Sequence, residues 1–240
     1  MGWRNVSPCV PAEPVAENAR QALANLRRAT GDHEASPPFL HITRKTIQFN
    51  KASDAWTDVT AFTDLMEVAG TPQQTIRHME EMVELYQDDF LEGFTIGDSP
   101  AFEDWALVVR EQLEQKALHV FQSLTAYHEG RDEYMRAREY ARRQIALAPW
   151  QEQAHRALMR LLALNGQRGA ALAQYEACRH ALQEELGVEP APQTTRLYDQ
   201  IRKGELEPST AAPAQVRDLE PPRELPGFLQ QDCDAVEPPV

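Results

Sequence analysis

Between Leu85 and Glu205 the apolar positions recur at three- and four-residue steps, and glycine or proline closes each run. Phe102, Trp105, Ala106, Val109, Leu113, Val120, Phe121 and Leu124 form one broad stripe, opened by Ser99-Pro100 and closed by Gly130. Tyr134, Ala137, Ala141 and Ile145 form the next, closed by Pro149. Ala154, Ala157, Leu158, Leu161 and Leu162 lead to Gly166; Ala171, Tyr175, Cys178, Leu182 and Leu186 lead to Gly187. Leu197, Tyr198 and Ile201 predict a shorter closing helix. Upstream, Thr71-Pro72 marks a helix start, with Ile76, Met79, Met82 or Val83, and Tyr86 on its apolar face. The stretch from Leu85 to Pro100 is less regular. Gly93 and Gly97 interrupt it, while Phe90, Leu91, Phe94 and Ile96 predict a packed connector.

The stripes repeat. Gly130 and Gly166 are 36 positions apart, and Tyr140 and Tyr175 are 35 apart. That spacing is close to the roughly 34-residue period of tetratricopeptide helix pairs. Small residues at Ala137, Ala141, Ala171 and Ala173 would let paired helices approach closely. The expected class is mainly α, a helical-repeat module whose surface binds partners rather than a catalytic pocket.

The first segment follows a different pattern. Pro8, Pro11 and Pro14 crowd residues 1–16, which are expected to be disordered. From Glu17 a short helix is predicted, with Leu23 and Leu26 on its apolar face and Gly31 as its stop. Residues 39–49 then read as two short strands, Leu40 and Ile42 against Ile47 and Phe49, with Arg44 and Lys45 at the turn. Arg20, Arg27 and Arg28 on the helix read equally well as a solvated basic face. A basic helix before a basic-tipped hairpin also matches the second half of a winged helix, where the helix enters the major groove and the wing reaches the backbone.

Charge and cysteine content narrow the function. Lys+Arg number 24 and Asp+Glu 37, a net charge of −13, so the whole chain does not suit a polyanion. The balance is uneven: residues 1–50 carry six basic against four acidic side chains, and residues 205–240 two against eight. A basic start on an acidic chain leaves room for local nucleic-acid contact. Cys9, Cys178 and Cys233 are odd in number and widely spaced, which points to a reducing cytoplasm rather than a disulfide framework. No apolar run is long enough to span a bilayer, so no membrane partner is expected.

These residues carry a family resemblance. YQDDFLEGF, DSPAFEDW, the run from ARRQIALAPW to EELGVEPAPQT, and LYDQI resemble, in order, the bacterial transcriptional activator domain of SARP-type (antibiotic-regulatory) regulators. RQALANLRRATGD resembles the recognition helix of the winged helix before that domain, and PPFLHITRKTIQFNKASDAWTDVTAF its wing. The resemblance implies a tetratricopeptide-like domain that takes part in regulation and self-association. It also implies that Arg20, Asn25, Arg27, Arg28, Thr43, Arg44 and Lys45 face DNA. The sheet and two helices that precede the recognition helix in that family have no counterpart here. LPGFLQQD resembles the linker that leads to a further domain in larger members, so both ends read as cut.

The resulting plan has four parts: a disordered start (1–16), a partial winged helix of one helix and a hairpin (17–60), the helical-repeat domain (61–205) and a Pro-rich acidic linker (206–240). The function expected is transcriptional regulation, with protein partners or self-association through the repeats and DNA contact through the residual winged helix. The alternative is an adaptor or dimerisation module without DNA binding. No catalytic, cofactor or metal site is expected. The seven histidines form no HExxH pattern and read as surface or half-buried helix residues. Asp88, Asp89 and Glu92 read as solvated or capping groups, Ser99 as a helix N-cap with Glu103 following it, and Trp105 and Trp150 as packing residues. Cys178 reads as an inert core thiol. No GxxxxGK[ST] loop is present to hold ATP.

Overall fold

The structure, a computed structural model, describes residues 12–206 except positions 44, 45, 51, 69 and 98. The chain divides into two units, the first ending at Thr57 and the second starting at Asp58. The first holds helix α1 (Ala12–Thr30) and an antiparallel hairpin of β1 (Leu40–Ile42) and β2 (Ile47–Phe49). Helix α1 begins five residues before the expected start. Pro14 falls in its first turn, where the backbone N–H groups have no intrahelical partner, so the ring costs no hydrogen bond.

Gly31 ends α1 at φ 68°, a conformation that glycine adopts without a Cβ clash. The Asp32 N–H donates to the Arg27 carbonyl at 3.0 Å and the Gly31 N–H to the Arg28 carbonyl at 3.4 Å. This is the paired closure that satisfies carbonyls left over at a helix end. In the hairpin, Leu40 faces Phe49 and Ile42 faces Ile47, so all four apolar side chains share one side of the ribbon.

Among its described residues the second unit holds seven helices: α2 (Asp58–Glu67), α3 (Pro72–Leu85), α4 (Pro100–Glu129), α5 (Tyr134–Leu147), α6 (Glu152–Leu164), α7 (Arg168–Glu185) and α8 (Pro192–Lys203). Each helix packs on the next in sequence from α2 to α8, apart from the added contacts of α6 with α4 and α8. Two cores result. Phe62, Ile76, Met79, Met82, Leu113, Val120, Phe121 and Leu124 close the first among α2, α3 and α4. Ala137, Ala141, Leu158, Met159, Leu161, Ala171, Leu197 and Ile201 close the second among α5 to α8. Thr71 caps α3 as expected: its hydroxyl accepts the Gln74 N–H while the Gln74 side chain accepts the Thr71 N–H, a capping box.

Five expectations change. Of the connector, Phe90 is half-buried, but Leu91, Phe94 and Ile96 are 36%, 52% and 39% exposed. The loop turns at positive φ at Leu91 and Gly93; α4 meets it through the Phe90–Trp105 and Phe94–Phe102 ring contacts and through Arg110, which donates to the Phe90 carbonyl. Trp105 and Trp150 are 46% and 41% exposed and are not core residues. Ser99 occupies the N-cap position of α4 without a side-chain cap, and Glu103 instead accepts the Ile96 N–H at 2.6 Å. His128 and His155 are buried: both His155 ring nitrogens are paired, while His128 Nδ1 meets Glu133 and its Nε2, 3.7 Å from Glu80, has no hydrogen-bond partner among the described residues. Leu206 still packs on the second core, one position into the expected linker; residues 1–11 and 207–240 lie outside the described residues.

The second core generates a direct test. Leu158→Ala should lower stability by about 2–5 kcal/mol in urea unfolding, the cost of a cavity in a packed core. Leu107→Ala, at a largely exposed position of α4, should change it by less than about 0.5 kcal/mol. Equal effects at the two sites would contradict the core assignment.

Candidate nucleic-acid and partner-binding surfaces

The helix–hairpin unit is built around one buried carboxylate. Asp32 is almost fully buried directly after the αL glycine. Its Oδ2 accepts the Arg27 Nε–H at 2.7 Å, and its Oδ1 accepts the Leu40 N–H at 2.9 Å. One side chain thus ties the end of α1 to the start of β1. The Arg27 guanidinium holds the Asp32 carboxyl below its ordinary value, with burial opposing and the Leu40 amide assisting. Asn50 does the same at the other end of the hairpin. Its amide donates to the Pro38 carbonyl at 2.7 Å, its side-chain oxygen accepts the Ala52 N–H at 3.1 Å, and its backbone N–H donates to Phe39 at 2.7 Å.

The residues expected to face DNA fall into three groups. At about 100° per residue, Arg20, Gln21, Asn25 and Arg28 lie within about 140° of one another on α1, and all four are exposed. Asn25 accepts a hydrogen bond from Gln21 at 3.1 Å on that face. Arg27, seven positions after Arg20, lies about 20° from it at the edge of that face, with its Nε engaged by Asp32. Thr43 closes the hairpin turn: its N–H donates to the Thr46 carbonyl at 2.9 Å, and its hydroxyl lies 2.8 Å from that of Thr46 and accepts the Thr46 N–H. Arg44 and Lys45, between those two threonines in sequence, lie outside the described residues. Asp32 and Asn50 were not singled out in the sequence, although a Gly-Asp pair after a helical run signals a helix stop with a polar group beside it.

The second unit presents a cleft of about 430 Å³ where α3, α4 and α5 meet. Asp88, Asp89, Glu92 and Glu114 line it, with Trp150 at its edge. Burial raises the Glu114 carboxyl above its ordinary value, and the charges of Asp89 and Glu111 raise it further. Arg143 supports the floor: its Nη2 donates to the Val83 and Tyr86 carbonyls at 3.2 and 2.9 Å, and its guanidinium lies 5.0 Å from the Phe121 ring centroid. Those carbonyls are among the ones that the end of α3 leaves unpaired. The histidines are structural in the same sense. The His128 ring lies 2.6 Å from the Glu133 carboxylate and stacks on Tyr140, and His155 joins the Pro149 carbonyl to the Gln174 amide. Cys178 is buried, and burial pushes its thiol up to about 11, away from thiolate chemistry. Among the described residues no cluster of three His, Cys, Asp or Glu is placed to hold a metal.

A stack of sequentially packed helices, following a small helix–hairpin unit in the sequence, defines a helical-repeat scaffold, a class that acts through its surfaces. A family model described as "Bacterial transcriptional activator domain" matches residues 57–202, more than half of the chain. The chain belongs to that family, the activator domain of SARP-type transcriptional regulators. Among solved structures it is similar to Mycobacterium tuberculosis EmbR in complex with a low affinity phosphopeptide, at 16% identity and a TM-score of 0.57. That match covers 90% of this chain and 56% of the EmbR chain, so the chain spans little more than half of that protein. At that identity the likeness concerns the fold. No curated protein matches the chain. Among the described residues no helix is long and apolar enough to cross a membrane.

The Asp32 link has a defined pH response. A carboxyl whose folded value is lowered contributes fully above its unfolded value near pH 4 and loses that contribution as pH falls through the folded value. The Leu40 amide resonance should therefore hold steady from pH 8 to about pH 5 and move on further acidification. Asp32→Asn should remove that acid step while leaving the second unit's unfolding unchanged. An unchanged titration in the variant would contradict the link.

Proposed function

We propose that this chain regulates transcription from the cytoplasm, its helix–hairpin unit contacting duplex DNA as half of a winged helix and its helical-repeat domain docking protein partners or a second copy. The observation that carries the reading is the pinned geometry of the first unit, in front of a domain of the activator family. Arg27 and Asp32 fix the helix end against the hairpin. That leaves Arg20, Asn25 and Arg28 together on the exposed face of α1, and Arg44 and Lys45 follow Thr43 in the sequence. Basic side chains so placed would neutralise phosphates, and Asn25 would reach base edges or sugars. Thr43 would set the wing rather than touch the nucleic acid, and Arg27 would present its free guanidinium edge beside the helix end.

A second reading has its own support. Leu26, Ile42, Ile47 and Phe49 are 48%, 39%, 54% and 54% exposed, apolar side chains that the described residues leave uncovered. If the first unit does not hold its shape on DNA, the chain would act as an adaptor through its helical domain alone. Fluorescence anisotropy of a labelled duplex separates the readings. Binding should weaken steeply between about 50 and 200 mM salt. Replacing Arg20, Arg28, Arg44 and Lys45 together by Ala should weaken it at both salts and reduce the magnitude of the log–log salt slope by about three to four. No binding at low salt, or an unchanged slope in the variant, would leave the adaptor reading.

A further inference from the structure

The first core is not closed on every side. Between the end of α2, the face of α3 and the middle of α4 lies a cavity of about 290 Å³. A dry cavity of about 150 Å³ is large enough to take up benzene, so this one has room for a fused bicyclic molecule. Beside Leu65, Glu67, Val68, Thr75 and Val120, its walls hold two groups of side chain with their own chemistry. Met66, Met79 and Met82 line it together, three of the six methionines in the chain. Thioethers are polarizable, adapt their rotamers to the occupant and make favourable contacts at aromatic ring edges.

The second group is a pair of imidazoles. His78 and His119 both line the cavity, from α3 and α4. His78 Nδ1 and His119 Nε2 are shut off from solvent and have no hydrogen-bond partner. Buried polar atoms are nearly always paired, so two unpaired ring nitrogens on residues that line one cavity are groups that a bound polar group would complete once the rings turn. Burial holds the His119 ring below its ordinary value, so at neutral pH it is uncharged and suits a neutral polar group rather than an anion. With no third ligating side chain grouped with the two rings among the described residues, a metal ion is poorly served. The mouth lies beside Val68, a side chain 52% exposed just past α2, which gives a way in.

We propose that this cavity is a ligand site for a small, neutral aromatic molecule bearing a hydroxyl, the phenol class, with its ring among the methionines and its hydroxyl held by His78 and His119. A phenolic O–H both donates and accepts, so a single group can pair with two ring nitrogens, one accepting and one donating. Rotation of an imidazole about its last torsion is soft, so each ring can turn its orphan nitrogen towards the ligand. Such a ligand would tighten α2 against α3 and α4 and raise the stability of the second unit by mass action.

Calorimetry of the full chain with 1-naphthol tests this, with naphthalene as the ring without its hydroxyl. Saturable 1:1 binding of 1-naphthol is expected, and about tenfold weaker binding of naphthalene, the usual penalty for leaving buried polar atoms unpaired. Ring-nitrogen NMR should show His78 and His119 shifting with 1-naphthol, and less with naphthalene. Val68→Trp, at an exposed position that leaves the core intact, should fill the mouth and abolish binding without lowering Tm. Absence of saturable binding would mean that water alone occupies the cavity and would overturn the proposal. So would equal affinity for naphthalene, or binding undiminished in Val68→Trp.

Discussion

The structure depends on how closely its helices can approach. Ala137, Ala141 and Ala171 have no exposed surface at all, and each lies where a helix meets its neighbour. A methyl group at those positions lets two backbones come together, so Leu158, Met159 and Leu161 fill the space between them to solid-like density. A larger side chain would force the pairs apart, and interiors tolerate added volume poorly. The polar links are secondary and act at helix ends. The Arg160 guanidinium forms a two-pronged pair with Glu129, joining α6 to the end of α4. Glu152 on α6 accepts the Ala191 N–H and the Thr194 hydroxyl, supplying the N-terminal cap that α8 lacks in its own sequence.

How much of this could be read beforehand follows from what each signal measures. Apolar spacing reports which face of a helix is buried, and Leu113, Val120, Leu124, Leu158, Leu161, Cys178 and Leu182 are all buried where the stripes place them. Local stop and start chemistry was also readable: Gly31, Gly166 and Gly187 adopt positive φ at helix ends, and Thr71 caps α3. Spacing cannot report whether a neighbour exists to cover an apolar residue. Trp105 fits its stripe and meets the Phe90 and Phe102 rings, yet stays 46% exposed; Trp150, in the turn after Pro149, is 41% exposed, and Phe94 is 52% exposed beside Phe102. Long-range polar partners are equally silent. His128, His155, Arg160 and Glu152 look like ordinary surface residues until the fold brings Glu133, Gln174, Glu129 and Ala191 to them.

The same limit applies to the candidate nucleic-acid surface. Basic residues on a helix and at a hairpin turn suggest a surface, but not which of them are committed elsewhere. Arg27 is the clearest case: it is one of the basic residues of α1, and its Nε is bound to a buried carboxylate. Asp32 does for the first unit what the alanines do for the second, setting the relative position of its two elements. The helical domain, by contrast, carries an acidic cleft and a strongly negative composition, which suit a protein partner better than a polyanion.

The most direct measurement is hydrogen exchange of the full chain with and without duplex DNA at low salt. The account predicts slower exchange on adding DNA within residues 20–31 and 40–49, with α5 and α6 unchanged. Protection centred on the helical domain, or no change in the helix and hairpin, would contradict the assignment of the first unit to nucleic acid.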